Sequence, residues 1–330
     1  MVKMMKSYEY IPFEILNGKN ILITGACGLI GSAIIDFLME NNVNCNLYAL
    51  ARHRSKIENR FSNYLGCSHF HILEGDVNEP LTQDLVFNYI INAASNANPN
   101  AYAIDPVGTM WTNFNGTKNL LDYGREHGLE RFLYVSSGEV YGDGDVDRWN
   151  EKDSGYVDCM TLRSCYPTSK RATESLCVAF GHQYGIETVV ARPCHTFGPC
   201  FTDSDTRAYA QFVRKARKQE NIVLKSKGEQ YRSWLYVKDC AAGIIAILLK
   251  GENGSAYNLA DENACVTIKD LAEIIASISG VNVVFDLPSE IEKQGFSVIH
   301  KAVFDTAKLQ HLGWTPQYKL EEALRETIKA

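Results

Sequence analysis

The stretch NILITGACGLIGSAIIDFLM, residues 20–39, decides the fold. Its apolar run at 20–24 is typical of a buried strand, and residues 29–39 have helical spacing. The glycines between them permit a tight turn, a close approach of phosphate and close packing of helix on strand. Backbone N–H groups at the start of such a helix face phosphate oxygens. We therefore expect a dinucleotide pyrophosphate, with a purely structural turn as the alternative, at Gly25, Gly28, Leu29, Ile30 and Gly31.

A second motif, YPTSK at 166–170, lies at the start of a predicted helix that runs to residue 184. Tyr166 and Lys170 are four residues apart, so they share one face of that helix. Lys170 can stabilise the Tyr166 phenolate and bring a pKa near 10 closer to the working pH of a general base. The spacing alone is common in a chain with 17 tyrosines. The alternative is a half-exposed aromatic side chain beside a solvated lysine.

The segment 131–135 reads as a strand, and the polar loop SSGEVYG follows it at 136–142. In a doubly wound sheet, ligands lie beyond the carboxyl ends of the strands. This loop is therefore predicted to face the same crevice as the glycine turn. The hydroxyl of Ser137 can hydrogen-bond a reacting oxygen there.

Strand-like and helical segments alternate up to residue 192. This alternation predicts an α/β fold, a Rossmann-type doubly wound parallel sheet, over residues 19–192. Residues 193–330 are predicted to form mainly a smaller α/β substrate-binding lobe, and residues 1–18 an N-terminal extension without an assigned role. The predicted strands are 47–50, 70–73, 89–93, 132–136 and 188–191, and the predicted later helices are 208–218, 239–249 and 268–278.

Composition favours a soluble, cytoplasmic protein. The formal net charge of -6 argues against nucleic acid as a general partner. No apolar export segment occurs in residues 1–10, and the longest apolar stretch, 241–249, is too short to span a membrane. Ten scattered cysteines without a Cys-x-x-Cys pair indicate reduced thiols. Cys194, His195 and Cys200 lack a fourth zinc ligand, so we expect no metal.

Taken together, the chain from residue 20 onward resembles the extended short-chain dehydrogenases that act on nucleotide sugars, the epimerase, dehydratase and decarboxylase group. The resemblance implies an NAD(P)-dependent enzyme whose substrate is a nucleotide-diphosphate sugar. It implies that Tyr166 takes the proton of the sugar C4 hydroxyl, that Ser137 holds that oxygen, and that Asp76, Val77, Ala93 and Ala94 contact the cofactor. Its markers are the glycine turn, Tyr166 with Lys170, and segments 75–77, 92–95, 113–117, 137–142, 192–199, 232–239 and 312–316.

Within that group the chain most resembles the UDP-glucuronate decarboxylases, through segments 97–99, 163–166 and 196–199 together with Tyr102. Decarboxylation of the 4-ketone is therefore favoured over 4-epimerisation or 4-ketoreduction. The similar 4,6-dehydratases place an Asp-Glu pair at the positions of Gly138 and Glu139. Gly138 lacks the acid that a departing hydroxyl needs, so dehydration is disfavoured. Glu139 is predicted to act in catalysis, with hydrogen bonding inside the loop as the alternative.

Two positions depart from the decarboxylase pattern. Decarboxylases carry an arginine shortly before the segment that corresponds to 305–314, whereas this chain has HKAVF at 300–304, with Lys301 as the available cation. The family asparagine before Thr196 is His195, which can hydrogen-bond a diphosphate or be an ordinary core histidine. Arg232, by resemblance, clamps the nucleotide from the smaller lobe, and a surface salt bridge is the alternative.

The residues after the second predicted strand are LARHR at 50–54, without any carboxylate. An acidic residue there commonly accepts the ribose hydroxyls of NAD, whereas a cationic residue can hold the 2′-phosphate of NADP. Arg52 therefore favours NADP over NAD, with a solvent-facing basic loop as the alternative. Relatives of the decarboxylase type use NAD.

The resemblance also implies a homodimer built on two helices. The residues predicted for the dimer interface are Thr109, Met110, Trp111, Phe114, Cys177, Val178 and Phe180.

A different class of function, a nucleotide-sensing protein without turnover, remains the alternative to an enzyme.

Overall fold

The computed structural model describes residues 7–97, 99–286 and 300–330. Residue 98 of the decarboxylase-like segment and residues 1–6 of the predicted extension lie outside this part of the chain. A sheet of seven parallel strands forms the centre, in the order β3-β2-β1-β4-β5-β6-β10. Its strands are β1 Asn20–Thr24, β2 Asn46–Ala51, β3 Phe70–Glu74, β4 Tyr89–Asn92, β5 Arg131–Val135, β6 Glu187–Pro193 and β10 Ser255–Leu259.

Helices cover both faces of this sheet because its central strands are apolar on both sides. In β1, Ile21 and Ile23 belong to one core cluster and Leu22 to the other. The first cluster includes residues of α1 Leu29–Glu40 and α7 Val237–Lys250, which pack on each other. The second includes residues of α4 Pro106–Glu126 and α5 Cys165–Tyr184. The doubly wound fold predicted from the sequence is confirmed.

The strands outside the central sheet form two smaller sheets in the described part of the chain. Strand β9 pairs with β11, β13 and β7, and β8 pairs with β12. These strands are β7 His195–Phe197, β8 Ile222–Leu224, β9 Tyr231–Tyr236, β11 Asp261–Thr267, β12 Val283–Phe285 and β13 Lys301–Ala302. The other helices are α2 Arg54–Arg60, α3 Pro99–Ile104, α6 Ala208–Arg217, α8 Ile268–Ser279, α9 Ala307–Gln310 and α10 Leu320–Lys329.

The predicted strands and helices agree with these bounds to within a few residues. Helix α5 begins at Cys165, so Tyr166 lies in its first turn. The division between residues 192 and 193 stays a prediction. Both α7 and β10 follow that point in the sequence, yet they pack on or extend the central sheet.

The described part of the N-terminal extension packs against α1. The Tyr8 ring lies 4.8 Å from the Phe37 ring, centroid to centroid, and Leu16 is fully buried. Lys250 of α7 donates a hydrogen bond of 3.2 Å to the Tyr10 carbonyl oxygen. These residues therefore cover the end of the α1–α7 pair.

The predicted dimer residues divide into two sets. Thr109, Cys177 and Phe180 are 0 %, 0 % and 6 % exposed, so they belong to the core of this chain and their prediction as interface residues is wrong. Cys177 and Phe180 belong to the core cluster that α4 and α5 share, and the Thr109 hydroxyl donates to the Asp105 carbonyl oxygen at 2.8 Å. The exposed members of the set are Met110 at 41 %, Trp111 at 58 %, Phe114 at 38 % and Val178 at 51 %.

All ten cysteines are free thiols, four of them buried, four partly buried and two exposed. In the described residues no group of three or more His, Cys, Asp and Glu side chains could hold a metal ion. Among the helices of the same residues, none combines the length and apolar character needed to cross a membrane.

Candidate active site

The glycine turn joins β1 to α1 and leaves a cradle of bare backbone. Gly25 has a φ of +62°, and a Cβ there would lie 2.6 Å from the Ala93 carbonyl oxygen. A Cβ on Gly31 would lie 2.9 Å from the carbonyl carbon of Gly25. Gly28 is the N-cap of α1 and provides no side-chain cap, so the first N–H groups of the helix are open to an anion. The turn fits the pyrophosphate of a dinucleotide.

Residues predicted to contact the rest of the cofactor lie at the neighbouring strand ends. Asp76 and Val77 follow β3, and Val77 is buried against Gly116 of α4. Ala93 and Ala94 follow β4, which neighbours β1 in the sheet. All of these positions therefore border the carboxyl edge beside the turn, and their contact with a cofactor stays a prediction.

Arg52 follows β2 at this same edge and is exposed. Within the described ranges 7–97, 99–286 and 300–330 it makes no hydrogen bond or ion pair. Its neighbour Arg54 is paired with Glu58 at 2.8 Å. Of these two arginines, Arg52 is therefore the one without a carboxylate partner in the described chain.

A chain of buried hydrogen bonds connects the turn to α5. Thr24 donates to Asn92 at 2.6 Å, and Asn92 donates to Thr117 of α4 at 2.9 Å. One turn earlier on α4, Asn113 donates to Ser169 at 2.9 Å. Each side chain in this chain of hydrogen bonds has a partner, which fixes the positions of β1 and α5 relative to α4.

Tyr166 and Lys170 both lie buried on α5, 5 % and 1 % exposed. The Lys170 Nζ atom is 5.7 Å from the centroid of the Tyr166 ring and donates to the Val135 carbonyl oxygen at 2.9 Å. Burial lowers the pKa of Lys170 to about 7. Burial and the charge of Glu139 raise the pKa of Tyr166 to about 12.

From the sequence we expect Lys170 to lower the pKa of Tyr166. In the protein without substrate or cofactor, the pKa of Tyr166 is raised instead. Loss of solvent around a phenolate outweighs the stabilisation by neighbouring groups. The interactions that lower the pKa come from Ser137, Arg207 and Ser95. Proton transfer by this tyrosine therefore requires further stabilisation of its anion, which a bound substrate and cofactor would have to supply.

The loop after β5 brings Ser137 and Glu139 to Tyr166. The Ser137 hydroxyl oxygen accepts a hydrogen bond of 3.2 Å from the Glu139 N–H, which begins a short 3-10 helix, Gly138–Tyr141. Both carboxylate oxygens of Glu139 are held by the guanidinium of Arg163, at 2.9 and 3.1 Å. Arg163 lies 5.7 Å from the centroid of the Tyr102 ring, and Tyr102 stacks on Tyr166 at 5.3 Å.

Arg171 fastens this loop to the helix that carries the tyrosine. Its guanidinium donates to the carbonyl oxygens of Val140, Tyr141 and Gly155 at 2.5, 3.1 and 2.9 Å. A side chain one residue after Lys170 thus sets the distance between α5 and the loop.

His195 and Arg232 lie on the paired strands β7 and β9, as required for a shared pocket wall. The His195 Nδ1 atom is buried and has no partner within the described residues. Burial, Arg232, Arg207 and Arg163 lower its pKa to about 3, so the ring is neutral. Arg232 is 5 % exposed, which contradicts a surface salt bridge. Burial lowers its pKa to about 10.

Two arginines of the site were not among the predicted site residues. Arg163 was noted only as part of a family-like segment, and Arg207 was missed. Arg207 pairs with Asp205 through several hydrogen bonds, one of 2.6 Å, and acts electrostatically on Tyr166 and His195. No local pattern marks the role of either side chain, because the site groups on which they act, Glu139, Tyr166 and His195, lie in other segments of the chain.

Lys301 is not part of this group. Its Nζ donates to Asp147 at 2.9 Å, and it is two-fifths exposed. Its neighbour Ala302 pairs in register with Arg232, so Lys301 points to the other face of the strand. The interpretation that Lys301 takes the place of the decarboxylase arginine is therefore wrong.

Comparisons with known proteins agree with this arrangement. The family described as "NAD dependent epimerase/dehydratase family" matches residues 21–260. UDP-glucuronic acid decarboxylase 1 of Xenopus tropicalis is 34 % identical over 97 % of this chain and 74 % of its own length. UDP-glucuronic acid decarboxylase 3 of Arabidopsis thaliana is 33 % identical over 92 % of this chain and 86 % of its own.

Solved structures share the fold. UDP-glucose 4-epimerase of Thermotoga maritima has a TM-score of 0.80 at 22 % identity, covering 94 % of this chain and 97 % of its own. A dTDP-glucose 4,6-dehydratase of Bacillus anthracis, solved with NAD, has a TM-score of 0.80 at 21 % identity, covering 94 % and 96 %. The family match spans most of the chain and includes the glycine turn and the tyrosine–lysine helix. The chain therefore belongs to the NAD-dependent epimerase/dehydratase family and is an enzyme of that family.

Proposed function

We propose that this enzyme oxidises the C4 hydroxyl of a nucleotide-diphosphate sugar, and that its reaction is the decarboxylation of UDP-glucuronate to a UDP-pentose. The observation that carries the proposal is the convergence of Ser137, Glu139, Tyr166 and Lys170 at the carboxyl edge of the sheet, next to the glycine turn. The similarity to UDP-glucuronic acid decarboxylases supports the choice of substrate.

In the proposed reaction, Tyr166 takes the proton from the C4 oxygen while Ser137 donates a hydrogen bond to that oxygen. When protonated, Lys170 favours the tyrosinate electrostatically, because its ammonium group is close to the Tyr166 ring and both groups are shielded from water. The glycine turn would hold NAD or NADP, which would accept the C4 hydride. The same residues then return the proton when the C4 ketone is reduced.

The resulting 4-ketone of a uronate is a β-keto acid. Its carboxylate can leave as carbon dioxide, with the bonding electrons passing into the enolate of the ketone, and C5 then takes up a proton. Glu139 lies beside Tyr166 and is held in place by Arg163. We assign Glu139 to the proton transfer at C5.

Arg232 supplies positive charge for an anionic nucleotide sugar, and Arg163 and Arg207 lie nearby but are paired with Glu139 and Asp205. The charges of all three lower the pKa of His195, so all three lie near its ring. Arg232 and the neutral His195 are the proposed diphosphate contacts, since a guanidinium fork matches two phosphate oxygens. The substrate carboxylate would meet this cluster and not Lys301. We propose that residues 193–330 mainly form the substrate-binding side of the site.

For the cofactor, we infer a preference for NADP over NAD. Arg52 is exposed at the end of β2, where the ribose of the adenosine is expected. A guanidinium without a carboxylate neighbour suits a 2′-phosphate. Relatives of the decarboxylase type support NAD as the alternative.

For assembly, we infer a homodimer through the outer faces of α4 and α5. Met110, Trp111, Phe114 and Val178 expose apolar area on these two packed helices. An exposed apolar patch of this kind is typical of a protein interface.

The test is incubation of UDP-glucuronate with the enzyme, followed by mass and proton NMR analysis of the products. We expect carbon dioxide and a UDP-pentose from the wild type, and a slower reaction with retained cofactor reduction from Glu139→Gln. Recovery of UDP-galacturonate without loss of carbon would move the assignment to 4-epimerase. Formation of a 4-keto-6-deoxy product from dTDP-glucose would move it to dehydratase.

A panel of UDP-, GDP-, CDP- and dTDP-sugars covers the remaining alternatives. Stoichiometric NAD(P) binding without any change in these sugars would indicate a nucleotide-sensing protein. Release of a reduced 4-hydroxy sugar from an added 4-keto sugar would indicate a ketoreductase.

A further inference from the structure

An aromatic ring occupies the space in front of position 138, between Ser137 and Glu139. A Cβ atom added to Gly138 would lie 2.8 Å from Cε1 of Phe304 and closer still to its Cζ. The φ angle of Gly138 lies outside the left-handed region, so its backbone would accept other residues. The Phe304 ring, and not the backbone conformation, is therefore what excludes a side chain here.

The ring has little freedom to move aside. Phe304 is 1 % exposed and packs on Tyr141 with ring centroids 5.6 Å apart. Its N–H donates to the Ser233 hydroxyl at 3.2 Å. The backbone on either side is held by Trp149, which donates to Val303 O at 2.8 Å and accepts from Asp305 N at 2.9 Å. In a close-packed interior, a ring fixed in this way resists displacement.

The bare position 138 limits the acid–base groups of the loop. Ser137 offers a hydroxyl, and the carboxyl group of Glu139, which Arg163 holds through both oxygens, is assigned to the proton at C5. In an elimination of water from a 4-keto hexose, a base takes the C5 proton, the C6–O bond breaks, and the hydroxyl must receive a proton to leave as water. Carbon dioxide leaves a 4-keto uronate without any proton on the leaving group. A second acid is needed only for the elimination.

We propose that Phe304 is a specificity-determining residue of this enzyme. By keeping position 138 free of a side chain, it denies the C6 hydroxyl of a 4-keto hexose a proton donor. The 4-ketone is then left with carbon dioxide loss or hydride return as its outcomes. This inference rests on the proposed C4 oxidation. It adds Phe304, which lies 166 residues after Gly138 in the sequence, to the residues that determine the product of that reaction.

The steric part is tested without substrate, by thermal unfolding of Gly138→Ala, Phe304→Ala and the double variant. Overpacking predicts that Gly138→Ala lowers the melting temperature by about 3 °C or more in the wild-type background. In the Phe304→Ala background the same change should have almost no effect, because the obstructing ring is gone. Phe87→Ala, which truncates an equally buried ring in another cluster, is the control background and should leave the effect of Gly138→Ala unchanged. Additive effects in all backgrounds would overturn the proposed contact.

The chemical part uses UDP-glucose, which differs from UDP-glucuronate only at C6. We expect Gly138→Asp and Phe304→Ala each to form no 4-keto-6-deoxy product, and the Gly138→Asp/Phe304→Ala double variant to form it. Product from Gly138→Asp alone, or none from the folded double variant, would overturn the role of Phe304. Failure of the proposed function is seen separately, as an absence of carbon dioxide release from UDP-glucuronate by the wild type.

Discussion

Replacing Lys170 by Met should stabilise the cofactor-free protein in a pH-dependent way while it removes the cation beside Tyr166. Lys170 is 1 % exposed, and its ammonium has lost nearly all contact with water. Burial lowers its pKa from 10.5 to about 7. That difference corresponds to about 5 kcal/mol against the charged form in the folded state. Methionine has a similar length and no charge to desolvate.

The sign follows from the protons bound in each state. Below pH 7 both states carry the proton, and the folded wild type bears the full penalty. Between pH 7 and 10.5 the unfolded chain holds a proton that the folded chain has released, so the free energy of unfolding rises with pH. Above pH 10.5 the penalty is gone. In Lys170→Met, the loss of the hydrogen bond to the Val135 carbonyl oxygen lowers the free energy of unfolding by about 1 kcal/mol at every pH.

We therefore expect Lys170→Met to be more stable than the wild type by about 2–4 kcal/mol near pH 6, with the difference shrinking towards zero near pH 10. Urea unfolding at about pH 6, 8 and 10, followed by tryptophan fluorescence, measures it. Lys269→Met, at a lysine 47 % exposed, is the control and should show a small difference that does not depend on pH in this way. Parallel stability profiles for wild type and Lys170→Met would refute the desolvation argument.

Three further outcomes are expected. Tyr166→Phe should lower turnover by about two to four orders of magnitude with NAD(P) still bound, and a variant that keeps more than half its turnover would exclude Tyr166 as the base. Arg52→Asp should weaken NADP binding much more than NAD binding in titration calorimetry, whereas equal losses would make the basic loop a solvated surface. Trp111→Asp should convert a dimer to a monomer in light scattering at micromolar concentration, and a monomeric wild type would contradict the proposed interface.

The features that the sequence predicted are local in the chain. The glycine turn is one segment, and Tyr166 and Lys170 are brought together by a single helical turn, so pattern and spacing suffice for both. The features that it missed depend on distant partners. Arg207 enters the site from a loop, and Phe304, which meets Gly138, follows β13 of a different sheet. The sign of the Tyr166 pKa shift was also missed, because burial is a property of the folded chain and not of a motif.

The place of β10 at the edge of the central sheet has a consequence for synthesis of the chain. Strand β6 has β5 on one side, and among the described strands only β10, residues 255–259, pairs with its other side. Until those residues leave the ribosome, the nascent sheet carries an open edge of N–H and C=O groups. Such an edge readily pairs with other chains. Nascent chains that stall before residue 255 are therefore expected to be prone to aggregation and to depend on chaperones, although every predicted cofactor-binding residue has already been made.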